Sequence, residues 1–123
     1  MANELSLEFN DSFNTYALLR LVADNTIWDV GDDALEAIGT WNDARLDECD
    51  IVLTARNGDL YTADMPASAP VGMYKALYYL RAGGSPAITD GQLSSESFYW
   101  DGTNKYIQNP SDYKATVGQP SME

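Results

Sequence analysis

The sequence predicts an all-β fold, an antiparallel β-sandwich of about seven strands with extended segments at both ends. Three observations predict it. Short runs rich in Val, Ile, Leu, Tyr and Thr recur through residues 14–102, with Gly, Pro, Asn and Asp between them. One Asn-Gly pair, Asn57-Gly58, lies between two β-prone runs. The chain has 123 residues, 45% hydrophobic and 21% charged, which suits one domain with its own core.

The elements follow in order. Residues 1–13 form an N-terminal arm or edge strand, because Leu5, Leu7 and Phe9 alternate with Ser6 and Glu8. Tyr16–Val22 is apolar at nearly every position, as in a strand covered on both faces, and Asn25–Trp28 follows a turn at Asp24-Asn25. Residues 32–38 fit either a short helix capped by Asp32 or Asp33 or a strand ending at Gly39; the strand is preferred. Residues 41–45 read as a loop with room for a helical turn.

The clearest local prediction is a hairpin, Asp50–Arg56 and Asp59–Asp64 around Asn57-Gly58. A two-residue type I′ turn sets Arg56 opposite Asp59, Thr54 opposite Tyr61 and Leu53 opposite Thr62. Residues 71–81 are read as a strand rather than a helix, with Tyr74, Ala76, Tyr78 and Leu80 on the buried face and the odd positions half-exposed. Gly83–Pro86 reverses the chain, and Ser97–Trp100 makes a final short strand. Residues 14–102 are thus the sandwich, and 103–123 an extended C-terminal tail.

Composition narrows function. Nineteen acids against seven bases give a net charge of −12, a surface that repels phosphate backbones and argues against nucleic acid. No apolar run approaches membrane-spanning length, and Met1–Glu4 lacks the basic start of a leader, so synthesis in a reducing cytoplasm is expected. The chain has no histidine, which removes Ser-His-Asp and Cys-His catalysis and any histidine metal site. Its one cysteine, Cys49, sits among Asp47, Glu48 and Asp50, whose charges disfavour a thiolate. Neither phosphate-cradling glycine motif occurs. No catalytic residues and no cofactor are expected, and the chain is read as no enzyme.

Asp29, Asp32 and Asp33 carry hard oxygens suited to Ca²⁺, but their spacing is not that of an EF-hand, so solvated loop acids are preferred. The same holds for Asp43, Asp47, Glu48 and Asp50. Three Trp, three Phe and eight Tyr suggest surfaces that bind through rigid amphipathic rings. Trp28 and Trp100 are assigned to the core, and Trp41 is left open because its neighbours are polar. Partner contacts are expected at the ends and at that tryptophan: Leu5, Leu7, Phe9, Trp41, Tyr106, Ile107 and Tyr113.

Residues 14–102 also resemble a family of immunoglobulin-like β-sandwich modules in virion proteins of tailed bacteriophages and prophages. The likeness is carried by Tyr16-Ala17, Ile27-Trp28, Asp59–Pro66, Tyr78–Ala87 and Phe98–Gly102, most specifically by the Arg81–Ala87 segment before Trp100-Asp101-Gly102. The resemblance implies a non-enzymatic virion component, best a capsid decoration or cement protein. Its partner would be the major capsid protein or another virion protein, with assembly as a homo-oligomer. A neck or tail-completion role and a carbohydrate-recognising adhesion module are the alternatives, the last with a glycan as ligand. The family offers no catalytic residues to carry over, and fold alone does not fix function.

Overall fold

The computed structural model describes residues 3–10 and 12–106. In chain order these form β1 (Leu5–Glu8), β2 (Thr15–Leu21), β3 (Thr26–Asp29), β4 (Ala34–Ala37), α1 (Asp43–Cys49), β5 (Ile51–Val52), β6 (Thr54–Arg56), β7 (Leu60–Ala63), β8 (Gly72–Leu80), β9 (Gly91–Trp100) and β10 (Lys105–Tyr106). The strands make two antiparallel sheets. One has the order β1-β7-β6; the other runs β10-β9-β8-β2-β3-β4, with β5 also on β2. The described residues form an all-β sandwich with one short helix.

β2 and β8 form the spine of the larger sheet, paired from Thr15↔Leu80 to Leu21↔Tyr74. Strand alternation sends their side chains to opposite faces. Ala17, Leu19 and Leu21 go inward with Tyr74, Ala76 and Tyr78, joined by Trp28, Phe98 and Trp100. Leu5, Leu7, Tyr61, Leu53, Met65 and Ala69 complete this core from the side of the smaller sheet. On the even face of β8, Tyr74, Ala76 and Tyr78 are buried as its alternation predicts, whereas Leu80, beyond the register shift between Tyr78 and Tyr79, is only half-buried; Trp28 and Trp100 are core residues. Each large apolar side chain sealed there contributes about 1.5–3 kcal/mol.

Several sequence expectations need correction. The apolar run 50–56 is not one strand. At Leu53 the chain leaves the larger sheet, where Ile51 and Val52 pair with Ala17 and Tyr16, and enters the smaller one. Leu53 is buried and its N–H donates to the Thr15 carbonyl (3.1 Å), so the crossing leaves no orphan donor. The hairpin forms, but one residue out of the expected register: Arg56 faces Leu60, Ala55 faces Tyr61 and Thr54 faces Thr62. The turn takes three residues, with Gly58 (φ 88°) and Asp59 (φ 63°) in left-handed conformations that glycine and aspartate tolerate.

Residues 34–37 are the strand preferred from sequence. The 41–45 loop gives way to α1, which Asn42 caps by accepting the Arg45 N–H (2.9 Å). The final strand is longer than Ser97–Trp100, because β9 begins at Gly91 in a polar stretch lacking an apolar signal. The tail boundary moves as well, since Lys105 and Tyr106 pair with Trp100 and Tyr99.

β1 is an edge strand, one of the two forms expected of residues 1–13: it pairs with β7 of its own chain, Leu5↔Ala63 through Glu8↔Leu60. What changes is the role of its leucines. Leu5 and Leu7 are 0% and 5% exposed, so they are core residues and not outward contacts. Their period of two marks a half-buried strand whether its partner lies in the same chain or another, which is why sequence alone left the choice open.

Candidate functional site

The outer face of the larger sheet carries a second, smaller core. Tyr16, Leu18 and Ile27 are buried there under Leu46 and Cys49 of α1, with Ile38, Trp41, Leu77 and Tyr79 packed alongside. Leu46 and Cys49 lie three apart, hence on one helical face, and that face seats the helix. Beyond the helix the covering stops. A pocket of about 210 Å³ opens there, walled by Tyr16, Leu18, Leu77 and Tyr79 from the sheet, by Trp41 and Leu46 from the helical segment, and by Ala87, Ile88 and Asp90 from the β8–β9 connection.

Cross-strand pairing places the sheet residues. Tyr16 sits opposite Tyr79, and the two rings stack with centroids 5.4 Å apart at 14°. Leu18 opposes Leu77 one step further on, and Val52 flanks Tyr16 from β5. Val52 and Ile88 are 62% and 60% exposed, so this region presents apolar side chains to solvent. Isolated exposed aliphatics are ordinary; these two stand beside an aromatic-lined depression.

Asp90 organises the far wall. It accepts the Tyr16 hydroxyl (2.8 Å) and the N–H groups of Ala87 (2.9 Å) and Ala82 (3.2 Å). Burial opposes its ionisation, but the bonds from Ala87, Tyr16 and Ala82 outweigh burial and hold its carboxyl below the ordinary aspartate range. Burial first, and then the bond to Asp90, push the Tyr16 hydroxyl upward, so it stays a donor. Across the pocket the Ile88 N–H donates to Asp43 Oδ1 (2.9 Å), tying the connection to the first turn of α1. The walls are therefore fixed by hydrogen bonds, and the recess is preformed.

A second polar centre holds the base of this region. The Arg45 guanidinium reaches Asp29 (2.8 Å), Glu48 (3.0 Å) and Glu36 (3.6 Å), and donates to the carbonyls of Ala37 (2.8 Å) and Ile38 (3.1 Å). It thereby joins β3, β4 and α1. Asp29 is buried; burial opposes its charge, but the Asp32 N–H and Arg45 outweigh it and lower its carboxyl. Glu36 moves the other way, to about 7, through its hydrogen bond with Asp32, then burial, then the charges of Asp32 and Asp29.

Carboxylate oxygens of Asp29, Asp32 and Glu36 lie within 4.8 Å of one another. Asp33, grouped with Asp29 and Asp32 from sequence, instead accepts the Ser68 hydroxyl (3.1 Å). The cluster's positive charge comes from Arg45, which makes it a structural clamp.

Of the contact residues expected from sequence that are among the described residues, Trp41 alone lies in the pocket wall. Phe9 is half-buried, packs against the main core and meets Phe13 with ring centroids 5.3 Å apart. Tyr106 is exposed at the sheet edge and tilts against Tyr99. Ile107 and Tyr113 lie outside the described residues. Sequence reasoning missed Tyr16, Tyr79, Asp90 and Ile88 as one group. Tyr79 was visible on the half-exposed face of β8, but the helix and connection that wall it in come from distant segments.

Cys49 is fully buried, and burial pushes its thiol up to about 11, the acids Asp29, Glu48 and Glu36 adding to the shift against Arg45. Among the described residues no helix is long and apolar enough to cross a membrane. Comparison of the chain with protein-family models, with curated proteins and with solved structures found no match.

Proposed function

We propose that the chain is a non-enzymatic structural protein of a tailed-bacteriophage virion, a decoration or cement protein that docks on the head surface. The resemblance of residues 14–102 to immunoglobulin-like virion modules supports this reading, and with it an immunoglobulin-like connectivity. The observation that carries the docking part is the preformed apolar recess with Ile88 and Val52 exposed beside it. A stable module with one such face suits attachment to a repeating protein surface. The partner would be the major capsid protein or another virion protein, with the chain made in the host cytoplasm and arrayed as a homo-oligomer. The contact surface in this reading is the Trp41–Ile88–Val52 face, because Leu5 and Leu7 are committed to the core.

Particles assembled with and without the protein provide the test. Added density on the head and slower heat inactivation are expected in its presence. Heads of equal density and equal heat resistance would overturn the reading. A carbohydrate-recognising module is the second reading, favoured by Trp41, Tyr16 and Tyr79 around one recess. A glycan array with Trp41→Ala as control separates the two: sugar binding that this variant loses selects the second.

A further inference from the structure

Acids gather around the pocket. Asp90 forms part of its wall and Asp43 holds Ile88 from below. Against these two stands Arg81, whose charge acts on Asp90. Arg45 is committed to Asp29 and Glu48. The recess is thus apolar and aromatic inside and negative at its mouth, on a chain of net charge −12.

That combination selects among occupants. A neutral aliphatic side chain would fill the space and gain nothing from the acids. An acidic one would be repelled. A sugar is neutral and gains nothing from the charge of the carboxylates, although Asp90 keeps one acceptor position beside its bonds from Tyr16, Ala82 and Ala87. A cation gains from the field of the carboxylates and from the negative faces of aromatic rings, and one of its N–H groups can take the acceptor position that Asp90 has left. A side chain with an aliphatic stem and a cationic tip matches both parts of the recess.

We propose that this pocket receives one arginine or lysine side chain from an extended segment of a partner protein. The stem lies against Leu18, Leu46 and Leu77, and the cation meets the Trp41 and Tyr79 rings beneath Asp90. A volume of about 210 Å³ accommodates a single such side chain. The proposal rests on the reading that this face is the docking surface, and it names the chemistry of the residue that docks.

The test is an NMR titration of the full chain with N-acetyl-arginine amide, N-acetyl-norleucine amide and a methyl glucoside. The arginine ligand should shift the Trp41 indole N–H and the Leu18, Leu77 and Ile88 methyls, and bind about tenfold more tightly than the norleucine ligand. Its affinity should fall as salt rises from about 50 to about 500 mM, since rim carboxylates are screened over that range. Trp41→Ala should weaken it. Norleucine binding as tightly, glucoside shifts at the same residues, or no shift from the arginine ligand would each overturn the proposal. The docking reading fails by a different result: Ile88→Asp and Trp41→Ala variants that still attach to heads as the parent does.

Discussion

The inner and outer faces of the larger sheet are built from alternate residues of the same strands, yet they end in different states. Inward, Ala17, Leu19, Tyr74, Ala76, Tyr78 and Phe98 are closed off by a second sheet. Outward, Tyr16 and Leu18 are sealed by α1, while their cross-strand partners Tyr79 and Leu77 stay half-buried. The reason is the size of the cover. A seven-residue helix is about 10 Å long, roughly two strand spacings, and it stops short of the sheet beyond β8. A sheet covered by a sheet yields a core, and one covered by a short helix yields a core with a vacancy beside it. Stability belongs mainly to the first face, and the proposed docking surface lies on the second.

The largest expected effects break that division from the inside. Phe98→Ala should lower unfolding free energy by about 3–5 kcal/mol, and Leu5→Ala by about 2–5 kcal/mol, in denaturant titrations with unchanged m-value. A loss below about 1 kcal/mol for Leu5→Ala would make β1 a detachable arm after all. Next is the clamp beneath the outer face. Arg45→Ala leaves Asp29 buried without its cation and should cost about 3 kcal/mol, with the α1 amides losing hydrogen-exchange protection first.

Trp41→Ala should separate the two faces most cleanly. A half-buried ring at the pocket wall should cost only about 1–2 kcal/mol of stability while removing attachment to the partner. A loss as large as that of Phe98→Ala would mean that the outer face is core and not recess.

The smallest effect is a pH dependence at Glu36. Its carboxyl in the folded protein is raised to about 7, so the folded state holds that proton where the unfolded chain has released it. Its stabilising contribution is complete below about 4.5 and is lost as pH rises through about 7. Asp29, shifted downward, contributes in the opposite sense and is lost only on acidification. Glu36→Gln should therefore flatten the fall in Tm between about pH 5 and about pH 8. An unchanged slope would show that Glu36 is ionised throughout.

Much of the inner face was legible in the sequence, because strand alternation reports burial directly. Tyr74, Ala76 and Tyr78 declare themselves by period two, and Trp28 and Trp100 by lying in apolar runs. The outer site was legible only in part. Trp41 stood out as a tryptophan among polar neighbours, but its meaning depends on residues brought from positions 16, 79 and 88 by pairing that no local pattern encodes. The hairpin shows the finer limit. Asn57-Gly58 marked the turn correctly, yet Asp59 also takes a left-handed conformation and moves the register by one residue. Both turn lengths are open to the same dipeptide, and the smaller sheet's packing decides between them.

The pairing of β1 with β7 also has a consequence in time. Strand neighbours here are distant in the chain: the Met65 N–H donates to Glu4, 61 residues away, and the Ser6 N–H to the Tyr78 hydroxyl, 72 residues away. On the ribosome the first apolar strand must therefore wait, unpaired, until β7 has been made, and for its contact with Tyr78 until β8 follows. Closing so long a loop is entropically costly before any contact rewards it, which places this domain among slow, milliseconds-to-seconds folders. During that interval Leu5 and Leu7 form an open edge that invites pairing with another chain. Glu8 within the strand, and Glu4 just before it, place negative charge along that waiting edge.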